Sequence, residues 1–175
     1  CAADDLTAEE LVERATSALD AARREDARHR NFEELANIDP RIRLAMVSGV
    51  EKAIEQGEFA LMYQAKVAAA SAEVTGAEAL IRWEHPVFGR LSPADFIPVA
   101  EKTGAIDGLT MWVLDRAIAD QAEARSAGIY LPISVNMSAR TLSNVGFRDL
   151  AIRKIEKAGA DICFEITETA VIESD

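Results

Sequence analysis

A very short link between two strand-like segments constrains the fold of this chain more than any other feature of the sequence. The first segment, FALMYQAKV, begins at Phe59, and the second, VTGAEALIRWEHP, runs from Val74 to Pro86. A parallel crossover takes a dozen or more residues, and only a few residues, mostly alanine and serine, separate these segments. We therefore predict that the two strands pair antiparallel.

Helix signals follow this hairpin. The stretch LSPADFIPVAEKTG (91–104) has serine and proline near its start and glycine at its end, which is typical of a helix. Pro98 lies inside the stretch, so the helix should begin after Pro98 or be kinked there. A longer helix is predicted from about Asp107 to Ala127, because Gly128 follows it.

Two further strands alternate with helices. LPISVNMS (131–138) and DICFEITET (161–169) have strand patterns, and FRDLAIRKIEKAG (147–159) between them has a helical pattern. This alternation is typical of an α/β fold with mostly parallel strands. The Val74–Glu84 strand should then pair in parallel with the Leu131–Ser138 strand.

The first part of the chain has helical patterns of its own. Thr7 and Glu10 form a capping box ahead of one helix. Asp39 and Pro40 open a second helix, which should end at Gly57. The segment ARREDARHRNFEE between them is dense in alternating charge and is typical of a solvated connector.

Composition excludes several classes of protein. Acidic residues outnumber basic ones by 30 to 19, and the net charge of −11 disfavours binding to nucleic acid or to an anionic membrane. Cys1 and Cys163 lack the spacing of a zinc site or a disulfide framework and fit a reducing cytosol. No apolar run reaches the roughly 18 residues of a membrane span. The acidic start without methionine is typical of the middle of a longer protein.

Three strands carry oxygen ligands in an apolar setting: Glu78 on the second, Asn136 near the end of the third and Glu165 on the fourth. Carboxylate and amide oxygens suit Mg²⁺, Mn²⁺ or Ca²⁺ better than a soft metal. Functional residues of α/β barrels gather at the carboxyl ends of strands, so these side chains should share one face. Purely structural roles for the polar residues of these strands also stay open. Asn136 could cap the next helix, Arg82 could serve only as the partner of Glu78, and Glu165 or Glu168 could belong to ion pairs.

The segment GAEALIRWEHPVFGRLSPADFIPVAEKTGAI closely resembles the defining region of the EAL family, which hydrolyses the bacterial messenger cyclic di-GMP. Three more blocks occur in the family's order: YQAKV before it, SVNMS in the third strand and FEITET in the fourth. The resemblance covers about Ile38 to Asp175. It implies the N-terminal half of a TIM-like (β/α)8 barrel, with an antiparallel first strand and helices ahead of it.

The resemblance also assigns roles, residue by residue. The positions that match metal ligands, for Mg²⁺ or Mn²⁺, are Glu78, Asn136 and Glu165. The positions that match the lining of the cyclic dinucleotide site are Gln64, Leu80 and Arg82. Glu168 matches a residue that supports a later active-site loop, and the general base would lie outside this chain.

The ends of the chain match the family in different ways. Residues 1–37 resemble, more weakly, the last helix of a GGDEF domain plus a linker, although Asp20 stands where an aromatic residue is usual. Residues 38–175 would be the N-terminal part of an EAL domain. A barrel of this type takes about 250 residues, and the family's later active-site motifs would follow Asp175. We therefore expect no hydrolysis by this chain alone.

The resemblance implies a parent protein that hydrolyses cyclic di-GMP to linear pGpG in the bacterial cytoplasm. A homodimer of that parent, and its tethering to a membrane by an upstream region, are left open. Two alternatives are also left open: a non-catalytic receptor for cyclic di-GMP, and a glycosidase-type barrel that uses Glu78 and Glu165 as paired carboxylates. In the EAL interpretation these two carboxylates would converge with Asn136 on one ion. In a glycosidase they would flank a sugar-sized cleft.

Overall fold

This computed structural model describes residues 49–166 of the chain. The predicted helices ahead of residue 49, the predicted domain boundary at residue 37, and Glu168 all lie outside the described residues. Residues 49–56 are helical and are here called α1, and the chain leaves the helix at Gly57 as predicted. The φ angle of Gly57 is 70°, a left-handed conformation that glycine adopts at little cost.

Strands and helices then alternate along the described part of the chain. The strands are β1 (Phe59–Val67), β2 (Val74–His85), β3 (Gly89–Leu91), β4 (Ile133–Met137) and β5 (Ile162–Ile166). The helices are α2 (Pro93–Thr103), α3 (Ile106–Ser126), α4 (Ala139–Ser143) and α5 (Val145–Ala158). The sequence did not predict β3 or α4. From residue 49 to residue 166, no helix combines the length and the apolar content that crossing a membrane requires.

The strands form one mixed sheet in the order β1-β2-β4-β5, with β3 also paired to β2. β1 runs antiparallel to β2, from Phe59 opposite Trp83 to Val67 opposite Val74. β2 pairs in parallel with β4, and β4 pairs in parallel with β5. Both predicted strand pairings are therefore confirmed.

Helix α2 contains a proline in its interior. It starts at Pro93, with Ser92 as its N-cap, and continues through Pro98. Of the two alternatives that Pro98 suggested, a start after this residue is therefore ruled out. A proline inside a helix removes one backbone hydrogen bond, whereas complete burial of Phe96 and Ala100 holds α2 in the core.

Helices cover one face of the sheet and form the core with it. Trp83 is fully buried, and its ring centroid lies 5.0 Å from that of Phe59 and 5.5 Å from that of Phe96. The indole Nε1 of Trp83 donates a hydrogen bond to Glu58 Oε2 at 2.9 Å, so the polar atom of this large side chain is satisfied. A second part of the core joins the sheet to α3 through Ala79, Ile133, Val135, Val113 and Ala117.

A buried glutamine of α3 joins the starts of β4 and β5. The Nε2 of Gln121 donates to the carbonyls of Leu131 and Asp161, both at 2.8 Å. Its Oε1 accepts from the Asp161 N–H, also at 2.8 Å. Only 2% of the residue is exposed, yet its amide is satisfied on both sides. Gln121 therefore fixes the two parallel strands to the helix that covers them.

Gly76 lies where β2 closely approaches the chain ahead of β4. A Cβ at this position would lie 3.1 Å from the carbonyl oxygen of Pro132, and that oxygen already accepts from Ala77 N–H at 3.0 Å. We expect Gly76→Val to lower the free energy of unfolding by about 1–3 kcal/mol, because neither the rigid proline nor its bonded carbonyl can move away.

The matched control is Gly108→Ala in α3, where an added Cβ meets no atom within 4 Å. Alanine is a better helix former than glycine, so this change should stabilise the protein by up to about 1 kcal/mol. Denaturant unfolding of both variants measures the difference. A Gly76→Val protein as stable as the wild type would contradict the packing argument.

Candidate functional site

The face of the sheet opposite the helices carries the predicted site. Residues that are paired across neighbouring strands project to the same side, as does every second residue of one strand. The pairs Gln64–Glu78, Glu78–Ser134 and Asn136–Glu165 therefore share this face. We call it the polar face, defined by Gln64, Lys66, Glu78, Leu80, Arg82, Ser134, Asn136, Cys163 and Glu165. The prediction that Glu78, Asn136 and Glu165 share a face is confirmed.

Glu78 and Asn136 are in direct contact. The Nδ2 of Asn136 donates to Glu78 Oε1 at 2.6 Å, which joins β2 to β4 through side chains. This bond uses one oxygen of the carboxylate and the nitrogen of the amide, so it does not involve Glu78 Oε2 or Asn136 Oδ1. Those two oxygens are the atoms that a cation held by this pair would contact.

Two structural interpretations of these residues are not supported. Asn136 does not cap the next helix, because the cap of α4 is Ser138, whose side chain accepts from the Thr141 N–H at 3.1 Å. Glu78 pairs with Asn136 rather than with Arg82, whose Nη1 donates instead to the Ile81 carbonyl at 2.8 Å.

Glu165 is paired with a lysine that the sequence analysis missed. Its Oε1 accepts from Lys66 Nζ, which also donates to Ser134 Oγ at 2.7 Å. The hydrogen bond from Lys66 lowers the pKa of Glu165, desolvation opposes it, and a hydrogen bond from Ser134 assists it. Glu165 is therefore a member of an ion pair, as one of its structural interpretations predicted.

The Lys66–Glu165 contact also shows that the sheet is curved. Lys66 lies on β1 and Glu165 on β5, with β2 and β4 between them. Neighbouring strands lie about 4.8 Å apart, so in a flat sheet β1 and β5 would be about 14 Å apart. Their side chains meet because the sheet curls around the polar face, as the wall of a barrel does.

The predicted ligand-lining residues lie on the same curled surface. Gln64 is opposite Glu78, and Leu80 is opposite Met62. Arg82 follows Leu80 by two residues toward the carboxyl end of β2, so it lies on the same face. Leu80 and Arg82 are half-buried, and Gln64 is exposed. The side chains of β2 thus change from carboxylate to apolar to cationic along the polar face.

The donor set suits a hard cation. Two carboxylates and one amide supply oxygen atoms only, which is the ligand type that Mg²⁺ and Mn²⁺ prefer. Between residues 49 and 166, no three His, Cys, Asp or Glu side chains lie close enough together to hold a metal by themselves. The predicted set includes only two carboxylates, so it depends on the amide of Asn136.

Comparison with known proteins decides the family. A model of the EAL domain matches residues 48–175, which is most of the chain. The chain belongs to the EAL family. This membership argues against the glycosidase hypothesis, which depended on the two glutamates alone.

Two curated relatives of this EAL chain illustrate the match. A cyclic di-GMP phosphodiesterase of Pseudomonas aeruginosa is 38% identical over 121 residues, which cover 67% of this chain and 20% of the relative. A protein of Caulobacter vibrioides described as an uncharacterized signaling protein is 38% identical over 173 residues, which cover 96% of this chain and 21% of the relative. The chain thus spans about a fifth of the length of these relatives.

A solved structure matches the fold. The phosphodiesterase MucR of Pseudomonas aeruginosa, in complex with c-di-GMP, superposes with a TM-score of 0.66 and 33% sequence identity. The match covers 74% of this chain and 54% of that chain. Its EAL domain is a (β/α)8 barrel, which confirms the predicted fold class.

Proposed function

We propose that the protein containing this chain hydrolyses cyclic di-GMP to linear pGpG with Mg²⁺ or Mn²⁺. One observation carries the proposal: Glu78, Asn136 and Glu165, on adjacent strands, share one curled face of an EAL domain, and Asn136 bonds Glu78 there. The 33% identity to a phosphodiesterase solved with c-di-GMP supports the choice of substrate.

Six residues of the polar face have a definite task in this proposal. The metal ligands are Glu78, Asn136 and Glu165. A divalent ion bound there would neutralise the phosphodiester and lower the pKa of a bound water. Arg82 offers a planar set of donors to a phosphate or a guanine edge. Gln64 supplies an amide for hydrogen bonds, and Leu80 supplies apolar surface for a base.

Local cations are needed because the chain is acidic. A net charge of −11 repels an anionic ligand. Arg82 and the bound metal would therefore have to overcome the field of the rest of the protein.

Glu168 supports a later loop in this proposal, and the general base would come from outside these 175 residues. We further propose a cytoplasmic location and a homodimer of the full-length protein, whose mass in solution light scattering measures.

Removing divalent metal is expected to stop the reaction. With chelator, the natural protein that contains this chain should form no linear dinucleotide, because the phosphate and the attacking water would both lose their cation. Adding Mn²⁺ in excess should restore turnover. Chromatography of the nucleotides measures the product, and hydrolysis that continues in chelator would contradict the metal-dependent mechanism.

The same assay separates the enzyme from the receptor hypothesis. A receptor would bind cyclic di-GMP, measured by calorimetry, and form no linear product at any metal concentration. The 175-residue chain assayed by itself tests the expectation that it is inactive alone.

A further inference from the structure

Lys66 is a charged residue of the polar face that the proposed function does not use. Its ammonium group contacts Glu165 and lies 2.7 Å from Ser134 Oγ, so it bridges β1 to β4 and β5. The side chains of Lys66 and Glu165 are 37% and 39% exposed. The pair is therefore accessible to solvent ions but held in place by three strands.

Lys66 carries a positive charge at neutral pH, as lysine ordinarily does. Its ammonium group contacts Glu165, so this charge lies against one of the two carboxylates that are expected to bind a divalent cation. Any cation that binds Glu165 must share this carboxylate with Lys66.

We propose that Lys66 is a resident cation of the metal site, which shares Glu165 with the divalent ion and weakens its binding. This inference rests on the proposed metal site and assigns Lys66 as a positioning residue. Two like charges on one carboxylate repel each other, so the site would release its metal more readily than Glu78, Asn136 and Glu165 would without the lysine. Lys66 would also hold the Glu165 carboxylate ready when no metal is bound.

The test is calorimetric titration of Mn²⁺ into the natural protein that contains this chain, with Lys66→Met and Lys66→Arg as a matched pair. Methionine matches the unbranched stem of lysine without the ammonium group and its charge, whereas arginine keeps the charge. We expect Lys66→Met to bind Mn²⁺ about three- to tenfold more tightly, which is the effect of one unit charge several ångströms from a divalent ion in a hydrated site. Lys66→Arg should stay within about twofold of the wild type.

Salt provides a second readout. Because the effect is electrostatic, the difference between Lys66→Met and wild type should shrink when the titration is repeated at high ionic strength. Thermal unfolding of the metal-free proteins shows that the variants are folded, and Lys66→Gln replaces the methionine variant if that variant does not fold.

The outcomes separate this inference from the proposed function. Unchanged or weaker Mn²⁺ binding by Lys66→Met would overturn it and assign Lys66 to the orientation of Glu165 alone. Glu78→Ala should lose Mn²⁺ binding, whatever residue stands at position 66. A wild-type protein that binds no Mn²⁺ would overturn both the metal site and the role of Lys66, whereas a failure of Lys66→Met alone leaves the proposed function intact.

Discussion

Glu78→Ala is expected to abolish the hydrolysis of cyclic di-GMP and to leave the fold largely intact. The change removes a metal-ligating carboxylate and its 2.6 Å hydrogen bond to Asn136. Glu78 lies on the polar face, away from the helix-covered core, so little packing is lost. We expect turnover to fall at least about 10³-fold, which corresponds to about 4 kcal/mol of lost transition-state stabilisation.

Turnover with Mn²⁺ and thermal unfolding, measured on the same preparations, separate chemistry from stability. Glu73→Ala is the matched control, because this exposed glutamate precedes β2 and its carboxylate accepts from Ser71. The control should keep its rate within about twofold. Glu78→Gln preserves the shape of the side chain and should lose turnover as well. An undiminished rate in either Glu78 variant would place the chemistry elsewhere.

The strand pairing could be predicted because it follows from chain length. The link between Val67 and Val74 is too short for a crossover, so only an antiparallel pair was available. The long helix before β4 provides a crossover connection, so β4 can pair in parallel with β2, as it does in the structure. The rule that functional residues of α/β barrels gather at the carboxyl ends of strands then predicted that Glu78, Asn136 and Glu165 share one face.

The partner of Glu165 could not be predicted in this way. Lys66 and Glu165 are 99 positions apart and meet only because the sheet curls. The alternation of side chains gives the face of each residue but not the curvature that brings two distant strands together. A weak signal existed, since Lys66 lies two residues after Gln64 and therefore on the same face.

The sequence did not predict β3 and α4 because both are too short to show a periodic pattern of apolar residues. β3 has three residues and is defined by its partner, with Leu91 opposite Trp83. α4 has five residues and depends on its cap, Ser138, whose hydroxyl also lies 3.0 Å from Thr141 Oγ1. Asn136, which the sequence also offers as a cap, lies two residues ahead of this position.

Gln121 is a case in which the sequence contained no signal. It lies in a helix among many polar residues, and nothing in its neighbours indicates that it is buried. Its three hydrogen bonds go to backbone atoms 10 and 40 positions away, which only the packing of α3 on β4 and β5 brings together.

Gln121→Leu is therefore expected to destabilise the protein by about 2–4 kcal/mol. Leucine has a similar volume but cannot bond the backbone, so the Leu131 carbonyl and the Asp161 N–H lose the partners that Gln121 supplies. The Asp161 carbonyl keeps its bond from Ile133 N–H at 3.0 Å, which limits the loss. Each partly buried polar group left without a partner costs about 1–3 kcal/mol.

Denaturant unfolding measures the change in stability, and hydrogen exchange of the Asp161 amide reports the local effect. That amide should exchange faster in Gln121→Leu, because its acceptor is gone while the strand remains. Gln56→Leu is the matched control: Gln56 is exposed on α1, so the same substitution there should change stability by no more than about 0.5 kcal/mol. Equal stabilities for the two variants would show that the amide of Gln121 contributes nothing beyond its volume, and that the packing of α3 alone holds the starts of β4 and β5 in place.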